Sequence, residues 1–201
     1  MESDRLSRQM KFIVEIDKLK QVLRRTITLG SDRNENSAEH SWHIAVMAMV
    51  LAEHAKGKDI DLVRTVKMML VHDLVEIDAG DTYCYDDEAG KDKLERETRA
   101  ADRIFRILPA DQAAEFRALW DEFEAGATAE ARFANALDRL QALLLNYHTH
   151  GKTWQEHHVT SEQVAARAAP IEDGSAGLWE YARALIDDAV AKGLLEPRKG
   201  D

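Results

Sequence analysis

The sequence predicts an all-α protein, a helical bundle of about seven to nine helices. Proline is rare, with three residues in a chain of 201, so few positions would interrupt a helix. Alanine, leucine, glutamate and arginine recur at spacings of three and four residues, the pattern of amphipathic helices. Because this length suits a single hydrophobic core, we expect one domain over residues 1–201.

Two helices are predicted in the first part of the chain. The first covers about residues 7–25, and its apolar face carries Phe12, Ile16, Leu19 and Leu23. The polar segment 26–35 lacks any period and is predicted to be a loop. The second helix begins near Asn36, a favoured N-cap residue, with Glu39 in the capping-box position. It is predicted to end near Gly57.

The remaining helices follow from similar signals. Asp59 or Asp61 would cap a third helix that runs through His72, and the acidic segment 77–88 with its glycine predicts a loop. Further helices are predicted over about 90–108, 111–124, 128–147, a short stretch capped by Thr160 or Ser161, and 176–192. The apolar residues expected to point inward from the second helix are Ile44, Met47, Val50 and Leu51, and the third helix runs through Val63, Val66 and Leu70.

The acidic balance of the chain restricts its partners. The formal net charge is -10 and the isoelectric point is near 5.3. Such a surface repels polyanions, so binding to polymeric DNA or RNA is not expected. A small phosphorylated substrate is still compatible with this charge, because a bound metal ion reverses the local field in an acidic pocket.

Cysteine usage and hydropathy bear on the compartment. The single cysteine, Cys84, allows no intrachain disulfide bond, which suits a reducing compartment. No stretch approaches the roughly 18 consecutive apolar residues of a membrane-spanning helix, and the polar N-terminus lacks the pattern of a signal peptide. We therefore expect a cytoplasmic protein without membrane contact.

An ordered set of histidines and aspartates carries the chemical signal. His40 lies in the first turn of the second predicted helix, the pair His72-Asp73 ends the third, and Asp138 lies in a leucine-rich helix. A carboxylate buried among leucines is costly unless it is paired or bound to metal. Imidazole and carboxylate ligands together suit divalent ions such as Mn, Co, Fe, Zn or Mg.

Each of these residues alone also fits a structural role. His40 could only cap its helix, and Asp138 could form a solvated pair with Arg139. The complete set, with Glu76 four residues after His72, favours a metal site, because residues three or four apart share an edge of a helix. Two histidines and two aspartates also leave coordination positions free for a substrate.

The order H…HD…D resembles the HD-domain superfamily of metal-dependent phosphohydrolases, and longer strings are similar to its 5'-deoxynucleotidase branch. These strings lie at residues 35–41, 72–82 and 138–142. The resemblance covers about residues 11–147, which would be the HD core. Residues from about 160 to 194 would then form a C-terminal helical extension.

The resemblance implies roles for particular residues. It implies one divalent ion held by His40, His72, Asp73 and Asp138. Glu76 and Asp81 match catalytic positions, and the same two residues with Thr82 match a site that holds a second, weaker ion in some relatives. Arg25 matches an arginine that contacts the substrate phosphate, although Thr26 replaces the tryptophan that can follow it. The resemblance also implies a homodimer.

The absence of histidine between Asp73 and Asp138 narrows the chemistry. Superfamily members with a tight two-iron centre resemble H…HD…H…H…D, so a single-metal phosphomonoesterase is favoured here. We expect a 5'-nucleotidase that releases phosphate from (deoxy)nucleoside 5'-monophosphates. Two alternatives remain open. One is hydrolysis of another phosphoester or an alarmone, and the other is a metal-binding regulatory module without turnover.

Overall fold

A computed structural model describes residues 2–57 and 59–197 of the protein. The predicted single domain over residues 1–201 therefore includes residues 1, 58 and 198–201, which lie outside the described residues. The α-helices are α1 Glu2–Ile16, α2 Ser37–Leu51, α3 Leu62–Val71, α4 Glu76–Ala79, α5 Asp87–Gly90, α6 Lys93–Phe105, α7 Ala110–Ala125, α8 Ala129–His148, α9 Lys152–Glu156, α10 Ser161–Ala168, α11 Ile171–Gly174 and α12 Ala176–Ala191. The two strands are β1 Leu23–Ile27 and β2 Asn34–Asn36.

The prediction of an all-α fold is confirmed. Among the described residues, eight α-helices are at least eight residues long, within the range that the sequence predicts. No helix in this part of the chain is long and apolar enough to cross a membrane.

The central element is α8, which packs against α2, α3, α7 and the C-terminal helices. Thr128 caps it by accepting a hydrogen bond from the Ala131 amide, as expected for a threonine N-cap. Its buried residues include Phe133, Leu137 and Leu140. This helix therefore holds Asp138 at the middle of the molecule.

The prediction for residues 7–25 is wrong beyond Ile16. After α1 the chain forms a 3-10 helix, Asp17–Gln21, and then the strand β1, which pairs antiparallel with β2. The predicted loop over 26–35 consequently contains the end of β1 and most of β2. Consecutive β-branched residues, Thr26 and Ile27, are both buried here, and such residues favour a strand over a helix. The Asn34 side chain also donates to the Arg24 carbonyl, at 2.6 Å.

The start of α2 is as predicted. Asn36 and Glu39 form a complete capping box, in which each side chain accepts a hydrogen bond from the backbone of the other. The helix ends at Leu51 and is followed by a 3-10 turn, Ala52–His54, rather than continuing to Gly57. The capping box fixes the direction in which α2 enters the core, and with it the position of His40.

Val50, which is predicted to point inward, is exposed instead, and so are two apolar residues of α3. Val50 is 68% exposed, Val63 68% and Leu70 48%. They accompany other exposed apolar side chains of α2, namely Trp42, Val46 and Met49. Helical spacing alone predicts an apolar face, and it does not distinguish a face that meets the core from one that meets a partner.

The chain changes direction at the end of α3. The helix stops at Val71, and a 3-10 turn, His72–Val75, leads into α4. The predicted loop over 77–88 therefore begins within a short helix, which Gly80 ends with a positive φ of 74°. The 3-10 turn is tighter than an α-helix. It places the buried side chains of both His72 and Asp73 on the side that faces α8.

The C-terminal helices cover the far side of α8. The approach of α11 is close: a Cβ atom at Gly174 would lie 2.4 Å from the Arg132 carbonyl oxygen and 2.8 Å from Ala136 Cβ. The Gly174 carbonyl accepts a hydrogen bond from the Lys56 amide, at 2.8 Å. Glycine is therefore required at this crossing, and α10 and α12 pack on the same helix.

Candidate metal centre

Four residues predicted as metal ligands meet at one point, although three separate elements carry them. His40 comes from the first turn of α2, His72 and Asp73 from the 3-10 turn after α3, and Asp138 from α8. His40 is 0% exposed, His72 5% and Asp73 6%. The site therefore lies within the bundle and not on its surface.

The donor atoms of these residues lie close together, but the two imidazole Nε2 atoms form no hydrogen bond with the neighbouring carboxylates. His40 Nε2 lies 3.0 Å from Asp138 Oδ1, and His72 Nε2 lies 2.9 Å from Asp73 Oδ1. Despite these distances, both Nε2 atoms are buried and have no hydrogen-bond partner among the described residues. One donor atom each of His40, His72 and Asp73 lie within 4.8 Å of one another. This geometry fits a shared divalent ion better than it fits a hydrogen-bonded cluster.

The outer nitrogen of each imidazole ring is hydrogen-bonded, which orients the inner one. His72 Nδ1 lies 2.8 Å from the Met69 carbonyl oxygen, and His40 Nδ1 lies 3.0 Å from Gln141 Oε1. Both partners are acceptors, so each Nδ1 carries a proton and donates it. Each Nε2 is then left as the atom directed at the cluster, the usual arrangement of metal-binding histidines.

A second layer of buried polar groups supports His40. Gln141 is fully buried, and its Nε2 donates to Glu35 Oε1 at 2.7 Å. Glu35 in turn accepts a hydrogen bond from the Thr26 hydroxyl at 3.0 Å. Gln141 can hold the His40 ring only in the orientation in which its Oε1 accepts, because its amide nitrogen is already committed to a carboxylate.

Neighbouring charged groups shift the pKa values of three of the predicted ligands. Burial lowers the pKa of His72, but the Asp73 and Asp138 carboxylates raise it by more, to about 9. Burial alone would raise the pKa of Asp73, but His72 and Arg24 lower it to about 2. His40 and Arg24 likewise hold the pKa of Asp138 well below its usual range, against the effect of burial. Both aspartates are therefore anionic at neutral pH.

Arg24, which the sequence analysis did not single out, lies among the carboxylates. Its Nη1 donates to Asp73 Oδ2 at 3.1 Å, and its guanidinium lies 3.9 Å from Asp81 and 3.8 Å from Asp138. Arg25, the arginine that the resemblance indicated, is exposed at the mouth of the site. Its carbonyl accepts a hydrogen bond from the Thr153 hydroxyl.

Glu76 lies beside the metal ligands and is buried. Ser37, at the start of α2, donates its hydroxyl to Glu76 Oε2 at 2.6 Å. Burial, followed by the negative charge of Asp73, raises the pKa of Glu76 well above its usual value, although Arg24 opposes the shift. Burial therefore favours the protonated form of this carboxyl group.

Asp81 and Thr82 lie further out, along the segment after α4. Burial and the charge of Asp73 raise the pKa of Asp81, while Arg24 lowers it. The Thr82 hydroxyl accepts a hydrogen bond from Arg96 Nη2 at 3.2 Å. Arg96 Nη1 also donates to the Ala79 carbonyl at 2.6 Å, so this arginine orders the segment.

A cavity of about 1000 Å³, which includes space open to solvent, leads from the surface to these residues. On one side it is lined by Lys93 and Glu97, whose charged groups lie 3.5 Å apart. Burial raises the pKa of Glu97 to about 6, against the opposing effect of Lys93. The cavity therefore connects the buried carboxyl and imidazole groups with the solvent.

Comparison with known proteins agrees with this geometry. Residues 16–179 match the family model of the HD domain. The chain is 34% identical over 136 residues to the human 5'-deoxynucleotidase HDDC2, a match that covers 67% of this chain and 65% of that protein. It thus spans slightly less than two thirds of the length of that relative. The match to 5'-deoxynucleotidase HDDC2 of Dictyostelium discoideum is 31% identical and covers 71% and 77% of the two chains.

Solved structures show the same fold. A predicted metal-dependent phosphohydrolase from Magnetospirillum magnetotacticum is 55% identical, with a TM-score of 0.94 and 98% of each chain covered. An HD-domain phosphohydrolase from Listeria innocua is 18% identical, with a TM-score of 0.65 over 90% of this chain and 89% of that one. At this lower identity the likeness concerns the fold alone.

Proposed function

The chain belongs to the HD-domain family, and from that premise we propose that it is a metal-dependent phosphohydrolase acting on nucleoside 5'-monophosphates. Deoxynucleotides are the expected substrates, since relatives named 5'-deoxynucleotidase match most of the chain. The products would be the nucleoside and inorganic phosphate.

The observation that carries this proposal is the pair of buried histidine Nε2 atoms that have no hydrogen-bond partner in the described part of the chain. Together with Asp73 and Asp138 they offer two nitrogen and two oxygen donors, a set that suits Mn, Co, Fe, Mg or Zn. A divalent ion there would lower the pKa of a water molecule and polarise a phosphoryl oxygen. The residues around it would then bind the phosphate and supply the proton.

Glu76 is proposed as the general acid. Ser37 already donates to Oε2 of this carboxyl group, so the proton that the raised pKa retains would lie on Oε1. A protonated carboxyl one turn from a metal ligand can donate to the 5' oxygen as it leaves. The buried Ser37 hydroxyl would keep the group oriented during that transfer.

Arg24 is proposed as the main phosphate-binding residue, with Arg25 at the cavity mouth as an outer contact. Arg24 is held beside Asp73 by a hydrogen bond, and its planar guanidinium can bind two phosphate oxygens at once. This changes the prediction from the sequence, which named Arg25. It does so because neighbouring residues of a strand point to opposite faces.

A second, weaker ion could be held by Asp81 with Glu76 and the Thr82 carbonyl. The raised pKa values of both carboxyl groups weaken binding, since a protonated carboxyl group is a poor ligand. We therefore propose one resident ion, and a second only at high metal concentration.

The test is a phosphatase assay with the Mn- or Co-loaded protein across all nucleoside 5'-monophosphates and a panel of other phosphoesters. The proposal predicts phosphate release from deoxynucleotides, abolished in Asp73→Ala. Release only from other phosphoesters or an alarmone would replace the proposed substrate. If a folded, metal-loaded protein released no phosphate from any compound, the result would favour the alternative, a metal-binding regulatory module without turnover.

We also propose a homodimer formed through the exposed apolar face of α2 and α3. Trp42 is 65% exposed and Met49 65%, an unusual composition for solvent-facing helix surface. Light scattering of the wild type and of Trp42→Glu would decide this: a dimer that becomes monomeric supports it, and a monomeric wild type contradicts it. A cytoplasmic location is proposed because Cys84 is a free, exposed thiol, which suits a reducing compartment.

A further inference from the structure

Three arginines that line the cavity have no acidic partner among the described residues. Nine of the arginines in this part of the chain form an ion pair with a carboxylate. Three others have a different partner, a backbone carbonyl or an aromatic ring: Arg8, Arg132 and Arg183. The three that remain, Arg25, Arg139 and Arg167, all line the cavity.

This arrangement is unexpected in a chain with 37 acidic and 27 basic residues. Arg25 and Arg167 have neither an ion pair nor a side-chain hydrogen bond among the described residues, although carboxylates outnumber basic groups elsewhere. Arg139 donates through Nη1 to Asn135, but its buried Nε has no partner. A buried donor normally finds an acceptor, so Arg139 Nε points to a ligand that supplies one, and the two exposed arginines line the same cavity.

Asn146 offers a buried acceptor on the same side of the cavity. The residue is 7% exposed, and its Nδ2 donates to the Ala142 carbonyl at 2.9 Å. That hydrogen bond fixes which end of the amide is nitrogen, because the reverse orientation would place two oxygens together. Oδ1 is buried and has no hydrogen-bond partner within residues 2–57 and 59–197. The amide therefore presents an acceptor, and a ligand must bring an N–H or O–H group to it.

The cavity follows one face of α8. Asp138, Ala142 and Asn146 recur at intervals of four residues, and all line the cavity. With a rise of 1.5 Å per residue, the eight residues from Asp138 to Asn146 span about 12 Å. A nucleoside 5'-monophosphate is of comparable length from its phosphorus to the far edge of its base. A phosphate at the metal centre would place the base near Asn146.

We propose that this end of the cavity binds the nucleobase, and that it prefers bases in which a ring N–H adjoins a carbonyl: guanine, thymine and uracil. The inference rests on the proposed function, because it assumes a nucleoside 5'-monophosphate as the substrate. Asn146 Oδ1 accepts from the ring N–H, and Arg139 with Arg167 donates to the carbonyl oxygen. Tyr85 and Trp154, which line the same region, supply the aromatic wall for stacking.

The preference follows from charge as well as hydrogen bonding. Unpaired guanidinium groups create a positive potential, which favours an electron-rich carbonyl oxygen. The same potential disfavours the exocyclic amino group that adenine and cytosine carry in place of the carbonyl. Thymine and cytosine have rings of the same size but differ also in the C5 methyl group of thymine, so deoxyuridine 5'-monophosphate, which lacks that methyl group, is included to isolate this difference.

The experiment compares kcat/KM of the Mn-loaded protein for thymidine 5'-monophosphate, deoxyuridine 5'-monophosphate, deoxycytidine 5'-monophosphate and 2-deoxyribose 5-phosphate, which has no base. The thymidine nucleotide is expected to be favoured over the deoxycytidine nucleotide by about tenfold, the effect of leaving one buried polar group unpaired. In Asn146→Leu and Arg167→Gln, the ratio of kcat/KM for thymidine nucleotide over deoxyribose phosphate should fall, by about tenfold in the first variant. Arg183→Gln, which removes an exposed arginine outside the cavity that stacks on the Trp179 ring, is the matched control and should leave the ratio unchanged.

The outcomes separate the inference from the proposed function. A general folding defect would lower both values and keep their ratio, and Arg167→Gln tests the inference independently because this side chain is exposed. An unchanged ratio in both variants, or a preference for the deoxycytidine nucleotide, overturns the proposal. If none of the substrates is hydrolysed, the proposed function fails. Equilibrium binding of thymidine 5'-monophosphate and deoxyribose 5-phosphate then decides, and equal affinities overturn the base site.

Discussion

Replacement of Gln141 by leucine would test how the metal centre is oriented. Gln141 is fully buried and accepts from His40 Nδ1 at 3.0 Å while donating to Glu35 at 2.7 Å. Leucine keeps approximately the volume but removes these two hydrogen bonds, together with the longer contact between Gln141 Nε2 and His43 Nδ1 at 3.3 Å. The His40 ring then loses the acceptor that holds its proton on Nδ1, and Glu35 Oε1 loses a donor.

The expected magnitude follows from these two contacts. Loss of a hydrogen bond that orients a metal-binding histidine lowers metal affinity about 10- to 100-fold, or about 1.4–2.8 kcal/mol. The unpaired Glu35 and His40 groups would each cost about 1–3 kcal/mol of folding stability. We therefore expect Gln141→Leu to bind Mn or Co more weakly and to unfold at a lower temperature.

The assay is competition for the metal against a chelator of known affinity, with thermal unfolding measured on the same samples. Gln112→Leu is the matched control, because Gln112 lies on α7 and, within residues 2–57 and 59–197, its side chain forms a hydrogen bond only with Gln9. A folded Gln141→Leu protein whose metal Kd stays within about twofold of the wild type would refute the reasoning.

Three further predictions concern protons and packing. Because the metal-free pKa of His72 is about 9, the metal must displace the Nε2 proton at neutral pH. The affinity for the metal should therefore rise about tenfold per pH unit up to that pKa and then stay constant. Calorimetry that detects no proton release on metal binding would contradict this. Glu76→Gln should lower kcat by about 10²- to 10⁴-fold at unchanged metal content. The kcat of the wild type should fall as pH rises through the raised pKa of Glu76. Retained turnover in the variant would exclude Glu76 as the general acid. Gly174→Ala should destabilise the protein by about 1–3 kcal/mol in chemical unfolding, whereas Gly177→Ala, which has open space, should not; equal stabilities would show that the α8–α11 crossing adapts.

Much of the site could be anticipated from residue types that leave few alternatives. Histidine and aspartate on helices, in the order His40, His72-Asp73 and Asp138, predict a shared ligand because each would otherwise be a costly buried group. The capping box at Asn36 also set the start of α2, and that start positions the His40 side chain. Here local sequence and tertiary structure agree.

The β-hairpin was missed, and with it the role of Arg24. The predicted helix over residues 7–25 includes both arginines, and the resemblance indicates Arg25 as the phosphate contact. Strand alternation instead directs Arg24 to the carboxylates. A signal was present, because β-branched Thr26 and Ile27 precede a turn with Gly30, whose φ is 76°, and that combination is typical of a hairpin.

The helical periodicity of the sequence does not by itself indicate the other residues discussed for the site. Gln141 follows Asp138 by three residues, so their shared helix face could have been noticed, but its contact with His40 depends on how α2 crosses α8. The pairing of Ser37 with Glu76 likewise joins residues 39 positions apart. The exposed Val50 and Leu70 have the spacing of core residues, and only the packing of the bundle shows that they face outward.

The most direct test of the account is the location of the metal in a crystal of the Co-loaded protein, determined from anomalous scattering. The account predicts one strongly bound ion per chain, within about 2.0–2.2 Å of Nε2 of His40 and His72 and of a carboxylate oxygen of Asp73 and Asp138. An ion bound elsewhere, or one that leaves either Nε2 atom uncoordinated, would contradict it.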